Sequence, residues 1–346
     1  MNRLACPLPL LDTETILLGH GSGGKLSADL LHRVILPVFD NPILSRTNDQ
    51  AVFDVGGAKL AFTTDSFVIK PIFFRGGDIG SLAVHGTVND LAVGGATPLF
   101  LSAAFILEEG FPLEDLRRII ASMKEAADCA GVQIVTGDTK VVERGSCDGI
   151  FINTAGVGVV QTGLTLSADQ AQPDDVILLS GPIGDHGIAI LAEREGLSFE
   201  SEIISDSAPL HSLVADLMAT GAAIRCMRDP TRGGVASALN EIAQASKVGI
   251  QLEEQAVPVR QEVRGACELL GLDPLYIANE GKLLVVCSSA DADLALSAMQ
   301  RHPQGEGSSA IGRVTRKNSG LVTIRTSLGA VRIVDMLSND QLPRIC

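Results

Sequence analysis

Hydrophobic residues recur along this chain with two periods, one typical of helices and the other of strands. In the first half the pattern predicts helices over 79–93 and 113–130. The second helix has Glu114 and Asp115 in its first turn and ends before Gly131. Apolar runs in the same half predict strands over 59–63, 99–107, 133–136 and 150–160.

The second half repeats the mixed pattern after a polar stretch, 167–175, which contains Pro173 and is predicted to be a linker. Helices are predicted over 184–194, 233–245 and 290–301. Strands are predicted over 176–180, 224–227, 283–287, 309–313, 320–326 and 330–334. Helices and strands in both halves predict an α/β (α+β) fold of two mixed domains with a cleft between them.

The predicted N-terminal domain covers 47–165 and the predicted C-terminal domain covers 174–335. An N-terminal segment with a glycine-rich loop, 1–46, precedes them, and a flexible tail, 336–346, follows them. The chain has 346 residues, of which 46% are hydrophobic, so each domain can form its own core.

Charge and cysteine content narrow the class of partner. The net charge is −14, which disfavours nucleic acid and anionic membranes as partners. The sequence shows neither a signal peptide nor an apolar stretch long enough to span a bilayer. The seven cysteines are odd in number, widely spread and without a C-x-x-C pair, so neither a disulfide framework nor a structural zinc site is expected. These features predict a cytoplasmic protein.

A glycine-rich run near the start, GHGSGGKL, begins at Gly19. It fits G-x-G-x-x-G and nearly fits a P-loop, but Leu26 occupies the position where a P-loop needs Ser or Thr for Mg²⁺. A loop whose N–H groups at Gly21 and Gly23, together with Lys25, cover a phosphate fits better. A plain flexible loop explains the run equally well.

Acidic residues recur where predicted strands end, which is where α/β sheets bind ligands. Carboxylates in this position can hold Mg²⁺ on a polyphosphate. Each of them also suits a helix cap or a turn, so the argument depends on the set and on the nearby cations Lys140 and Arg232. The polar residues that follow this pattern are Asp49, Asp65, Asn89, Asp90, Asp138, Thr139 and Asp229.

The chain ends in a cysteine, Cys346, preceded by Pro343, Arg344 and Ile345. A chain terminus gives a thiol little packing value, and an exposed thiol oxidises readily. The tail is therefore interpreted in two ways: as a frayed end, or as a short arm that carries a nucleophilic sulfur.

Four runs, in this order, resemble the PurM-like ATP-binding superfamily: TTDSF from Thr63, NDLAVGGA from Asn89, GDTK from Gly137 and RDPTRGG from Arg228. The resemblance covers nearly the whole chain. Three further features, the GHGSGGK run, the NEG run around Glu280 and the terminal PRIC, resemble the HypE family of hydrogenase maturation proteins within that superfamily.

The resemblance implies an enzyme that uses ATP and Mg²⁺ to dehydrate a carbamoyl group on its own terminal cysteine, giving a thiocyanate. Cys346 is then the acceptor and covalent carrier. The implied Mg²⁺ ligands are Asp49, Asp65, Asp90 and Asp229. The implied nucleotide-binding residues are Gly21, Gly23, Lys25, Asn89, Asp138, Thr139, Lys140 and Arg232.

The resemblance also implies partners. A HypF-like carbamoyltransferase would load the thiol, a HypC–HypD complex would accept the cyano group for the iron centre of [NiFe]-hydrogenase, and the chain would form a homodimer.

Chemistry adds two catalytic roles. An amide oxygen leaves readily only after phosphorylation, and loss of the N–H protons needs a base. We assign the base to Glu280 and place Lys140 near the developing phosphate; a turn-capping role for Glu280 stays open. Two other functions also stay open: another ATP-dependent kinase or synthetase of the superfamily, in which Cys346 is incidental, and a non-catalytic ATP-regulated scaffold.

Overall fold

Two large β-sheets, one in each half of the chain, carry the fold and confirm the predicted α/β class. The computed structural model describes residues 15–39, 41–161, 163–197, 202–337, Leu342 and 344–346. The described chain begins with short helical turns, α1 (Lys25–Leu30) and α2 (Leu36–Phe39), joined by a π-helical stretch, Leu31–Ile35.

The first half forms a five-stranded sheet in the order β1-β2-β7-β5-β6. Its β7 alternates between more and less buried positions, because one face of the sheet packs against helices and the other is open. A two-stranded ribbon, β3–β4, precedes the first of these helices. The elements are β1 (Ala51–Val55), β2 (Ala58–Phe67), β3 (Phe73–Phe74), β4 (Gly77–Asp78), α3 (Ile79–Val93), β5 (Ala96–Glu108), α4 (Leu113–Cys129), β6 (Gln133–Val142) and β7 (Ile150–Val160).

The second half forms a seven-stranded sheet in the order β14-β13-β10-β12-β8-β11-β9. Its central strands are buried along their whole length, as their unbroken apolar sequences indicate. The elements are β8 (Val176–Leu179), α5 (Asp185–Glu195), α6 (His211–Ala219), β9 (Ile224–Arg228), α7 (Gly234–Ala245), β10 (Gly249–Glu253), α8 (Gln261–Leu270), β11 (Leu284–Cys287), α9 (Ala292–Arg301), β12 (Ser309–Thr315), β13 (Val322–Arg325) and β14 (Val331–Val334).

Helix α3 joins the two halves. Most of its residues are buried, including Leu82, Val88 and Leu91, because it packs between the first sheet and α6 of the second half. Asp78 starts it as an N-cap whose carboxylate accepts from the N–H groups of Gly80 and Ser81. The helix thereby fixes Asp90, in its last turn, at the boundary between the two halves.

The structure confirms the helix predicted over 79–93 to the residue and places α4 within one residue of its prediction. On α4, Ile119 and Met123 are buried, whereas Ile120 is 47% exposed. Cys129 is exposed and Cys287 is buried. Strand β1, helix α6, strand β10 and helix α8 were not predicted, and the described helices include none that could cross a membrane.

Candidate functional site

Three of the four predicted metal ligands meet in one place. The carboxylate oxygens of Asp49, Asp90 and Asp229 all lie within 4.8 Å of one another. They come from the start of β1, the end of α3 and the residue after β9, so both halves of the chain build the cluster. Asp65, on β2, is close enough to raise the pKa of both Asp90 and Asp229.

Burial makes these carboxyl groups hard to ionise. It raises the pKa of Asp229 to about 8, with Asp49 adding to the effect. Burial and the neighbouring carboxylates also raise the pKa of Asp90 well above its usual range. Burial raises the pKa of Asp65, which the nearby Arg232 partly offsets. Full ionisation of the cluster would therefore place more negative charge here than its surroundings neutralise.

One arginine partly balances the cluster. The guanidinium of Arg228, whose side chain is 9% exposed, forms ion pairs with Asp49 and Glu241. Thr63 also contacts the cluster. Its hydroxyl oxygen lies 2.8 Å from the carbonyl oxygen of Asp49 and 2.7 Å from a carboxylate oxygen of Asp90. One cation against several carboxylates leaves the negative charge that a divalent metal would neutralise, and an all-oxygen donor set suits Mg²⁺.

Glu280 lies next to this cluster and is 3% exposed. Burial raises its pKa well above the usual range, with Asp229 and Asp65 adding to the effect. Its carboxylate oxygen Oε1 has no hydrogen-bond partner within the described residues, which does not fit a turn cap. A buried carboxyl group with an unused oxygen is suited to exchange a proton with a bound ligand.

The residues that flank Glu280 hold it in place. The side-chain nitrogen of Asn279 donates to the carbonyl of Pro230 at 2.9 Å, and its side-chain oxygen accepts from the N–H of Gly184 at 2.8 Å. Gly281 is required because a Cβ there would lie 1.8 Å from the carbonyl oxygen of Asp206. The first and third residues of the NEG run thus fix the position of Glu280 between them.

The end of the chain lies in the same region. Ile345 and Cys346 are buried in an apolar cluster that includes Phe67, Ile69 and Ala278. The N–H of Val68 donates to the carbonyl oxygen of Cys346 at 3.0 Å. Ala278 is two residues before Glu280 and Val68 is three residues after Asp65, so the terminal cysteine packs against segments that adjoin both carboxyl groups.

The chain matches two family models, AIR synthase related protein, N-terminal domain, over 47–160 and AIR synthase related protein, C-terminal domain, over 172–325. It is 56% identical to the carbamoyl dehydratase HypE of Cupriavidus necator, with 99% of both chains covered. It is 46% identical to the carbamoyl dehydratase HypE of Escherichia coli, with 96% of this chain and 100% of the relative covered. The chain belongs to the HypE family.

Solved structures of HypE proteins agree with this fold. One, a HypE–HypF complex, superimposes with a TM-score of 0.85 at 52% identity, covering 89% of this chain and 99% of that chain. Another, HypE in complex with ATP, gives a TM-score of 0.81 at 50% identity, covering 96% and 100%. The two PurM-like domains expected from the sequence are therefore confirmed.

The glycine loop of this HypE-family chain is packed against its own second half. The N–H of Lys25 donates to the carbonyl of Leu337 at 2.8 Å, and the Lys25 ammonium pairs with Asp335 at 2.5 Å. The N–H of Gly23 donates to the Ser27 hydroxyl. The Gly23 N–H and the Lys25 ammonium were predicted to hold a phosphate. In this structure both bind groups of the chain itself.

The loop still reaches the carboxylate cluster through Arg232. The carbonyl of Gly21 accepts from Arg232 Nη1 at 3.0 Å. Gly23 has φ of +71°, and a Cβ there would lie 2.8 Å from the Arg232 carbonyl oxygen, so glycine is required. Arg232 also lowers the pKa of Asp65 and of Glu280, which places this cation beside both carboxylates.

The side chain of Asn89 makes contacts that its nucleotide-binding prediction did not include. It is fully buried, its oxygen accepts from the N–H of Leu210 at 2.7 Å, and its nitrogen donates to the carbonyls of Ala208 and Glu280 at 3.1 and 3.4 Å. All these partners are backbone groups of the second half. Asn89 therefore joins the two halves, and its contact with a nucleotide stays a prediction.

The GDTK run also differs from its prediction. It lies inside β6, at the edge of the sheet and not after a strand, so three strand spacings, about 14 Å, separate β6 from β2. Asp138 is in register with Ser66, one position beyond Asp65, and therefore projects from the open face while Asp65 faces the helices. Within one chain, Asp138, Thr139 and Lys140 are not brought to the cluster; Asp138 and Lys140 pair with each other at 2.5 Å.

Several residues around the site were not predicted. Arg228 and Glu241 have a weak sequence signal, since Arg228 precedes Asp229 at a strand end. The imidazole of His186 contacts the tail, and Arg194 and Asp148 also bind the tail. No sequence pattern links residues separated by more than 100 positions.

Proposed function

We propose that this HypE-family chain is an ATP-dependent carbamoyl dehydratase that acts on a carbamoyl group carried by its own Cys346, in the maturation of [NiFe]-hydrogenase. The observation that supports this most strongly is a three-carboxylate cluster beside the buried carboxyl group of Glu280, with the chain's own terminal cysteine packed against the adjoining segments. A small-molecule kinase would need no such docked cysteine.

The reaction is a dehydration without redox change. The thiocarboxamide loses its oxygen to phosphate and its two N–H protons, and a C≡N group remains on sulfur while ATP becomes ADP and phosphate. Glu280 accepts a proton from the amide nitrogen, and its burial favours the protonated product. Arg232, beside Asp65 and Glu280, offsets the negative charge of the transferred phosphoryl group.

Asp49, Asp90 and Asp229 would hold Mg²⁺, with Asp65 near them. When bound, Mg²⁺ supplies positive charge that neutralises phosphate oxygens. Asp138, Thr139 and Lys140 cannot serve this site from within the same chain, so their predicted role depends on a second chain.

The open face of the first sheet supports the homodimer. Large apolar side chains are exposed on it, and Asp138 and Lys140 project from it. A second chain that covers this face would bury the apolar side chains. Those at least 40% exposed on this face include Val55, Phe62, Phe100, Ile106 and Val159.

Three further assignments belong to the proposal. A HypF-like carbamoyltransferase loads Cys346, as the relative crystallised as a HypE–HypF complex supports. A HypC–HypD complex accepts the cyano group, and the protein works in the cytoplasm.

Intact-protein mass spectrometry tests the function. The chain is incubated with HypF, carbamoyl phosphate and ATP, and Cys346→Ser is the matched control. The expected result is carbamoyl addition at Cys346 followed by ATP-dependent loss of water, with neither in the control. Unchanged Cys346 under these conditions would overturn the proposal.

A further inference from the structure

The last three residues of the chain are held by a set of groups from both halves of the molecule. The N-terminal half contributes the N–H groups of Val68 and Lys70 and the carboxylate of Asp148. The C-terminal half contributes His186 and Arg194, which lie two turns apart on α5. We call these five residues the tail receptor.

The receptor pairs with the tail backbone. The N–H of Val68 donates to the Cys346 carbonyl at 3.0 Å, and the N–H of Lys70 donates to the Arg344 carbonyl at 3.3 Å. The guanidinium of Arg194 donates to that same Arg344 carbonyl at 2.7 Å. This main-chain pairing resembles the addition of a short strand, which fixes position along the chain but does not identify side chains.

Side-chain recognition occurs at Arg344. Its Nη1 pairs with the carboxylate of Asp148, and its Nε donates to the carbonyl of Val68 at 2.9 Å. Lys70 binds the same carboxylate at 2.9 Å. Asp148 therefore selects a cation at the third position from the end.

The next residue is recognised by burial. Ile345 is 3% exposed, and its carbonyl oxygen lies 2.8 Å from Nε2 of His186, which is fully buried. Because a carbonyl only accepts, Nε2 carries the proton and Nδ1 accepts from the hydroxyl of Ser205 at 2.7 Å. The edge of the imidazole also meets Phe74, with ring centroids 5.7 Å apart.

We propose that the tail receptor recognises the terminal Arg-Ile-Cys sequence and sets the position of the Cys346 sulfur, with the Arg344–Asp148 pair as its specificity determinant. These groups are positioning residues for the reaction under "Proposed function", on which the inference rests. The receptor needs groups from both halves, so it binds the tail only when the two halves are arranged as they are here.

Charge exchange in the full-length protein tests the inference. Arg344 and Asp148 have side chains 28% and 46% exposed, so substitution does not disturb the core. The variants are Arg344→Glu, Asp148→Lys and the two combined. Lys124→Glu breaks an exposed ion pair with Asp128 on α4 and serves as the matched control.

The first readout is the alkylation rate of Cys346 by iodoacetamide, measured on the C-terminal peptide by mass spectrometry, with exposed Cys129 as internal reference. Cys346 is 8% exposed, so undocking should increase its rate. Each single exchange should raise it about tenfold, the double exchange should restore it, and Lys124→Glu should leave it unchanged. Unchanged rates in the single variants, or no restoration in the double variant, would overturn the inference.

The second readout is the single-turnover dehydration rate after loading, which should fall and recover in the same order. Alkylation requires neither ATP nor carbamoylation, so the two proposals fail separately. No dehydration in the parent chain, with the alkylation rates of all variants as expected, would overturn only the proposed function.

Discussion

The side-chain nitrogen of Asn89 lies 3.1 Å from the carbonyl oxygen of Ala208, which ties helix α3 to the second half of the chain. With its bonds to Leu210 and Glu280, this amide satisfies three backbone groups between the two halves. A residue predicted to contact the nucleotide thus also links the two halves of the chain.

Asn89→Ala is expected to lower the free energy of unfolding by about 3 kcal/mol, because buried backbone groups lose their partners. ATP affinity at temperatures where the variant is folded should stay within about threefold of the parent, a shift of well under 1 kcal/mol. Denaturant unfolding and a nucleotide titration check the two parts. A stable variant that no longer binds ATP would show that Asn89 contacts the nucleotide.

Asp90→Asn is expected to raise thermal stability in the absence of Mg²⁺, because it removes one of several crowded carboxylates. The expected gain in the free energy of unfolding is about 1 kcal/mol, the order of energy that accompanies a tenfold change in the proton affinity of one carboxyl group. The same variant should lose the stabilisation that excess Mg²⁺ gives the parent, about 2.7 kcal/mol at one hundred times Kd. Thermal unfolding across a MgCl₂ titration measures both effects, and an undiminished Mg²⁺ response would contradict the assignment.

Glu280→Gln is expected to slow dehydration of the carbamoylated protein at least about 100-fold, the usual effect of removing a general base. Loading of Cys346 by HypF should continue, because the amide keeps the size of the side chain. Single-turnover mass spectrometry separates the two steps. Glu253→Gln, at an exposed position, is the control, and an unchanged dehydration rate in Glu280→Gln would exclude its role as base.

His85 should make the fold sensitive to acid. Burial, with His211 nearby, lowers its pKa to about 4, and its Nδ1 lies 3.0 Å from the hydroxyl of Ser207. The unfolded chain binds the proton more tightly between about pH 6.5 and pH 4, so acidification through this window costs stability, by up to about 3 kcal/mol. Unfolding curves of the parent and His85→Gln across these pH values check this. Identical slopes would show that another group is responsible.

Phe100→Asp should convert a homodimer to a monomer, because it places a charge in the open apolar face of the first sheet. We expect the dimer Kd to rise at least about 100-fold. Light scattering after size-exclusion chromatography measures this. Leu269→Asp, at a residue 82% exposed on α8, is the matched control and should leave the mass unchanged.

The sequence predicted the α/β class, helix α3 to the residue and the three carboxylates that meet. It placed the GDTK run after a strand, although β6 continues through it. An exposed edge strand has little apolar periodicity, so its end cannot be recognised locally. The five-residue strand β10 was missed for a related reason, since tertiary packing and not local pattern decides such a short element. Helix α8 was missed although Val263, Ala266 and Cys267 follow helical spacing and are buried.

By itself, the amino-acid sequence determined which residues are candidates for the chemistry: acidic groups near strand ends, a glutamate between Asn279 and Gly281, and a terminal thiol. Local backbone and side-chain preferences are sufficient for that. Only the tertiary structure decided that Asn89 binds backbone groups of the second half, that Lys140 faces away from the cluster and that His186 and Asp148 hold the tail. These outcomes depend on contacts between residues far apart in sequence, and on the face to which the strand register directs each side chain.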